Sequence, residues 1–91
     1  MALRWPKKDP DEVLDYDVKW VKRLNGDTIL TSIFFVADGD VIIDSNTETT
    51  TIAKVWLSGG TLDEECLVTN RITTAGLRTM DQSVKIKIGA K

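Results

Sequence analysis

The chain has 91 residues, 42% hydrophobic, 29% charged and 7% aromatic, which suffices for one thin core and not for two. A single cysteine, Cys66, excludes an internal disulfide, and the absence of histidine removes the usual zinc and haem ligand sets along with histidine-based acid-base and triad chemistry. The apolar runs Ile33–Ala37 and Val41–Ile43 fall far below the roughly 20 residues of a membrane helix, and no apolar stretch follows Arg4, Lys7 and Lys8 as a signal peptide would require. These features point to a small domain that stays in the cytosol where it is made, and they argue against an enzyme without naming a function.

In chain order, Pro6, Pro10 and the charged run Lys7 to Glu12 predict an extended arm over residues 1–12 that lies outside the fold. Residues 13–91 are then one domain. Trp5 in that arm either docks on another protein, as tryptophans at interface hot spots do, or folds back to cap its own domain. Leu14, Tyr16, Val18 and Trp20 alternate with Asp15, Asp17 and Lys19, the period of a half-buried strand. Asn25-Gly26 ends it with a dipeptide suited to a hairpin turn. Thr28–Val36 is rich in β-branched and aromatic residues and reads as a second strand, closed by Ala37-Asp38-Gly39-Asp40. Val41–Asp44 reads as a short third strand, Ser45-Asn46 as a break, and Thr47–Leu57 as a long threonine-rich strand ended by Ser58-Gly59-Gly60.

Thr61–Glu65 has a helix-like opening too short for more than one turn. Glu65–Thr74 and Thr79–Ile88 complete the set, joined by Ala75-Gly76-Leu77-Arg78. In the last strand Val84, Ile86 and Ile88 share one face, and Lys85, Lys87 and Gly89 the other. Both prolines precede the strands, so the sheets keep their backbone donors. Such strands, with turn signals between them and no apolar stripe at helical spacing, predict an all-β sandwich.

Charge is uneven along the chain. Residues 1–23 carry a net +1, residues 24–66 a net −7 and residues 67–91 a net +4. Ordinary surface chemistry accounts for this, since acidic turn tips and solvent-facing lysines are common, although an acidic middle and a basic end also suit a module that stacks on charged neighbours. Two oxygen-rich clusters, Asp38-Gly39-Asp40 with Asp44 and Asp63-Glu64-Glu65, have the ligand type hard cations prefer, but neither follows the twelve-residue calcium loop, and no metal or other cofactor is assigned. Ser58-Gly59-Gly60 lacks the lysine and helix of a phosphate loop. Trp20, Lys22 and Arg23 form only a faint nucleic-acid pattern, opposed by the acidic middle. Cys66 reads as a small core residue with no base to activate it, and Trp56 as a packing aromatic whose side the alternation leaves open.

Four separated stretches carry a resemblance. They are Trp5 to Tyr16, Gly26-Asp27-Thr28-Ile29, Val55-Trp56-Leu57-Ser58-Gly59-Gly60-Thr61, and Thr69-Asn70-Arg71-Ile72-Thr73-Thr74-Ala75-Gly76-Leu77-Arg78-Thr79 with Asp81 to Val84. In this order they resemble the fiber-tail adaptor proteins of tailed bacteriophages, small immunoglobulin-like virion modules, and the likeness runs from Trp5 to Ile88. Two positions depart from the family pattern: Leu77 stands where a second glycine is common, and Cys66 near where an aromatic is common.

The resemblance implies an immunoglobulin-like β-sandwich of six to seven antiparallel strands that is not an enzyme. It also implies a structural protein of the virion tail or neck, in several symmetric copies, joining ring or connector proteins to tail fibers without nucleic acid or membrane. A head-to-tail joining or tail-completion protein, or a host-surface decoration module, is the alternative. The arm residues Leu3, Trp5, Pro6 and Pro10, with Arg71 and Arg78, are the expected partner contacts, since arginine is enriched at interfaces and pairs bidentately with carboxylates.

Overall fold

The computed structural model describes residues 3–91. Seven strands and one helical turn follow one another: β1 (Leu3–Arg4), β2 (Leu14–Lys19), α1 (Val21–Leu24), β3 (Ile29–Asp38), β4 (Val41–Glu48), β5 (Ile52–Gly59), β6 (Glu65–Thr74) and β7 (Thr79–Lys87). They make two sheets, ordered β1-β7-β6-β3 and β2-β5-β4. The second, fifth and fourth strands on one layer, against the third, sixth and seventh on the other, is the distribution of an immunoglobulin-type sandwich. The first strand pairs in parallel with the seventh, Leu3 opposite Val84 and Arg4 opposite Lys85, while the remaining ladders are antiparallel. Among the described residues, no helix is long and apolar enough to cross a membrane.

The period-two pattern sorts side chains as alternation demands. Val18 from β2, Val55 and Leu57 from β5, Val68 and Ile72 from β6, and Val84 and Ile86 from β7 fill the space between the sheets. Lys85 faces solvent and Lys87 is half-buried, whereas Ile88 continues the inward row. One polar tie crosses this core. Trp20 is 1% exposed and donates from Nε1 to Asn70 Oδ1 at 2.8 Å, and Asn70 Nδ2 donates in turn to Ser32 Oγ and to the carbonyl of Ile33, both at 2.9 Å. Antibody domains join their layers by a disulfide between the second and sixth strands; here a tryptophan just after β2 and an asparagine on β6 make the join by hydrogen bonding.

Local expectations differ at four places. Asn25-Gly26 does not close a hairpin, because β2 and β3 lie in different sheets; Asn25 (φ 49°) is the left-handed cap of α1, and Gly26 (φ 90°) follows it. Ser45-Asn46 does not break the chain. β4 runs through it with a bulge between Ile43 and Ser45, and the break falls instead at Thr49, whose hydroxyl accepts from the backbone N–H groups of Thr51 and Ile52. The helical turn falls at α1, Val21–Leu24, and not at the helix-like opening Thr61–Glu65, which is a plain turn closed by Glu64 N–H to Thr61 O at 3.0 Å, with Asp63 at φ 68°.

The fourth difference is the N-terminal segment. It is extended, yet its described part is laid along the sandwich and does not stand away from it. Trp5 N–H donates to Lys85 O, Lys8 N–H to Lys87 O, and Gly89 N–H to Lys8 O, so backbone pairing continues along the β7 edge past the end of β1. Pairing of this kind links residues some eighty positions apart, which no local pattern encodes.

Candidate interaction surface

Each residue expected to meet a partner has a defined place. Trp5 is only 9% exposed, stacked on Tyr16 with ring centroids 5.0 Å apart, and its Nε1 donates to the carbonyl of Asp17 at 3.0 Å. It thus caps its own sandwich and covers the free edge of β2, the self-capping outcome in place of an exposed anchor. Leu3 and Pro6 on either side of it face solvent, and Pro10 is half-buried.

Lys8, read from the sequence as one charge among several, is fully buried. Its Nζ donates to the carbonyls of Asp9 at 2.9 Å and Gly59 at 2.7 Å, which pins the segment to the end of β5. Burial pulls its ammonium below the usual lysine range, while Glu12, Asp9, Asp11 and Asp44 act in the opposite sense.

Arg71 and Arg78 have different duties. Arg71 lies on the outer face of the four-stranded sheet and grips Asp81 of β7 bidentately, at 2.8 and 3.0 Å. Its guanidinium stacks over Phe35 of the edge strand β3, 5.3 Å from the ring centroid. Phe35 and its outward neighbour Ile33 are both exposed, so this face offers apolar surface beside an accessible ion pair. The hydrogen bond with Arg71 holds the Asp81 carboxyl below the ordinary aspartate range.

Arg78 is tied to its own molecule yet stays as accessible as Arg71, its side chain 45% exposed against 46%. It donates to Leu24 O at 2.6 Å and to Asp27 Oδ2 at 3.2 Å, tying the β6–β7 turn to the end of α1. Asp27 is the hub of that end. It also accepts from the N–H groups of Thr28 and Gly76, and these bonds, with the Thr74 hydroxyl foremost, lower its carboxyl to about 2. A side chain at Gly76 would run into Asp27, a Cβ lying 2.7 Å from Oδ2, so any larger residue must push the carboxylate off its bonds.

The opposite end gathers the acidic loops. Among the described residues, Asp40, Glu64 and Cys66 bring their ligand-type atoms within 4.8 Å of one another. These groups already serve the turn: Glu64 Oε1 accepts from Asp40 N–H at 3.1 Å and from the Cys66 thiol at 3.1 Å, and Asp40 Oδ2 accepts from the Thr61 hydroxyl. Cys66 is buried, and burial pushes its thiol up, away from the thiolate a nucleophile needs. Its sulfur lies directly beneath Gly39 (φ 101°), where a Cβ would overlap it; a small residue at 66 and a glycine at 39 are one packing solution.

Two exposed features lie outside the expected partner contacts. Trp56, whose side the alternation left open, points outward from the centre of the three-stranded sheet at 39% exposure, opposite Asp15 and Ser45 and near the Lys54–Asp15 pair at 3.3 Å. Leu77 at the tip of the β6–β7 turn is 89% exposed and has φ 65°.

No curated protein matches the chain. Residues 8–87 do match the model of the podophage GP4 fiber-tail adaptor protein gp77, and by that match the chain belongs to this family.

Proposed function

We propose that this chain is a structural protein of a podophage particle that works at the tail or neck, joining ring or connector proteins to the tail fibers. Membership of the fiber-tail adaptor family over residues 8–87 is the observation that carries this reading, and it supports binding to other phage structural proteins. The chain acts by binding, without catalysis, nucleic acid or membrane, and several copies take symmetric places around the tail after synthesis in the host cytoplasm.

The structure supports a division of labour among the contact residues. Leu3, Pro6 and Pro10 lie on a segment locked to the sandwich by Trp5 and Lys8, so they meet a partner as a rigid edge. Arg71, with the exposed Phe35 and Ile33, supplies the sheet-face contact. Arg78, bonded to Leu24 O and Asp27 and still exposed, adds a contact at the β6–β7 turn, while Trp5 acts behind this surface by holding its elements in place.

A cryo-electron-microscopy reconstruction of purified particles, with this chain located in the density, tests the proposal. Density bridging a tail or neck ring protein and the base of a fiber is expected. Density confined to the capsid exterior, or no copy in the particle, overturns it.

A further inference from the structure

We propose that Leu77 is a preformed docking knob, inserted on assembly into an apolar pocket with an acidic rim on a neighbouring protein of the particle; this rests on the virion reading above.

Three observations meet at this residue. Leu77 is the most exposed large apolar side chain among the described residues, at 89%, so its own domain gains almost nothing from it. It also holds a left-handed backbone conformation (φ 65°) that disfavours any residue with a Cβ and suits glycine. Leucine at this position therefore works against the stability of the isolated domain twice, through local strain and through apolar surface left in water.

The turn that carries it is nonetheless tightly held. Leu77 N–H donates to Thr74 O and Thr74 N–H to Arg78 O, both at 2.9 Å, and Arg78 N–H donates to Thr74 Oγ1 at 3.0 Å. Gly76 N–H reaches Asp27, Ala75 N–H reaches Thr28 O, and the Arg78 guanidinium reaches Leu24 O. A rigid projection loses little entropy on binding, which is the design of an anchor.

Charge names the pocket. α1, tied to this turn through Arg78, presents Lys22 and Arg23, and Lys19 precedes it. The nearby carboxylates are Asp27, engaged by Thr28, Gly76 and Arg78, Asp81, held by Arg71, and Glu48 at the end of β4. Arg23 donates to the Asp81 carbonyl at 2.7 Å and to Gln82 Oε1 at 3.3 Å, neutral acceptors that do not cancel its charge, so the balance at this end of the molecule is basic and its complement is acidic. A bilayer is the poorer occupant, because one aliphatic side chain buries too little area to hold a protein on lipid.

The test uses particles made by a phage whose gene for this chain carries a stop codon, incubated with purified wild-type, Leu77→Gly or Leu77→Met chain, with the retained chain quantified after sedimentation. Leu77→Gly is expected to melt higher than wild type yet bind the particles weaker by about tenfold or more, while Leu77→Met stays within a few-fold of wild type. Raising salt is expected to weaken wild-type binding. Equal retention of Leu77→Gly and wild type overturns the knob and leaves the virion reading standing. Failure of the wild-type chain to bind overturns the virion reading itself. Leucine-dependent binding to vesicles of phosphatidylglycerol and phosphatidylcholine, with no such dependence on particles, overturns the protein pocket.

Discussion

At the scale of single residues, burial and hydrogen bonding decide which side chains the fold depends on. Asn70 satisfies Trp20, Ser32 and Ile33 from the middle of β6. Asn70→Leu keeps the volume but strands a buried indole N–H and a backbone carbonyl, and is expected to cost about 3 kcal/mol in urea unfolding. A loss below about 1 kcal/mol would show that the tie contributes nothing beyond packing. Tyr16 is the converse case, since its buried hydroxyl finds no partner among the described residues. Tyr16→Phe is expected to be neutral or stabilising by up to about 1 kcal/mol, where removal of a bonded hydroxyl would destabilise. Burial also raises the Tyr16 phenol to about 12. The folded state therefore keeps a proton that the unfolded chain releases near pH 10, so this contribution is complete below pH 10 and is lost as pH rises through about 12. Tyr16 is the sole tyrosine, and the stability difference between wild type and Tyr16→Phe should change across that window and stay flat below it.

At the scale of elements, the strands were legible because alternation is local, and the connections were less so because their partners are not. The inward row Val84, Ile86, Ile88 can be read from ten consecutive letters, and the structure buries all three. Asn25-Gly26 has hairpin chemistry, but the same positive φ angles end a helix, and only the sheet assignment distinguishes the two. The N-terminal segment reads as a solvated arm from its prolines and charges, since nothing near Lys8 in sequence shows that Gly59 O will accept its ammonium. The interaction surface was legible in the same uneven way. Arg71 and Arg78 both stay accessible, whereas Trp5 is drawn into the molecule by Asp17 and Tyr16, and the positive backbone angle at Leu77 is one that leucine itself does not announce. If the segment is an integral edge of the sandwich, Trp5→Ala should cost about 3 kcal/mol by loss of a buried aromatic and Lys8→Met about 2 kcal/mol by orphaning two carbonyls, both measured by urea unfolding. Two changes below about 0.5 kcal/mol would mean that the segment merely lies against the domain.

At the scale of the whole molecule, a slab of 41 × 25 × 18 Å carries different charge chemistry at its two ends. The end with Asp38, Asp40, Asp63, Glu64 and Glu65 is acidic, and the end with α1 and the β6–β7 turn presents Lys22 and Arg23 around a carboxylate already bonded inward. Several carboxyls are held below their ordinary range by specific donors: Asp27 by Thr74, Thr28, Gly76 and Arg78, Glu65 by Arg4, Asp81 by Arg71, and Glu12 by Asp9 N–H and Lys91. A depressed carboxyl stabilises the fold above its unfolded value and loses that contribution as pH falls through its folded one. Stability should accordingly be level near neutrality and fall from about pH 5 downward, with Asp27 as the last to protonate, near 2. Asp27→Asn isolates that share, because the amide keeps the shape and one acceptor but not the charge. The variant should melt lower than wild type at pH 7, and the gap between the two should narrow between pH 5 and pH 2 as the wild-type carboxylate takes up its proton. A gap that stays constant across this range would show that Asp27 holds the α1 end by geometry alone, without its charge, and would remove the electrostatic reason for the rigidity of the turn that carries Leu77.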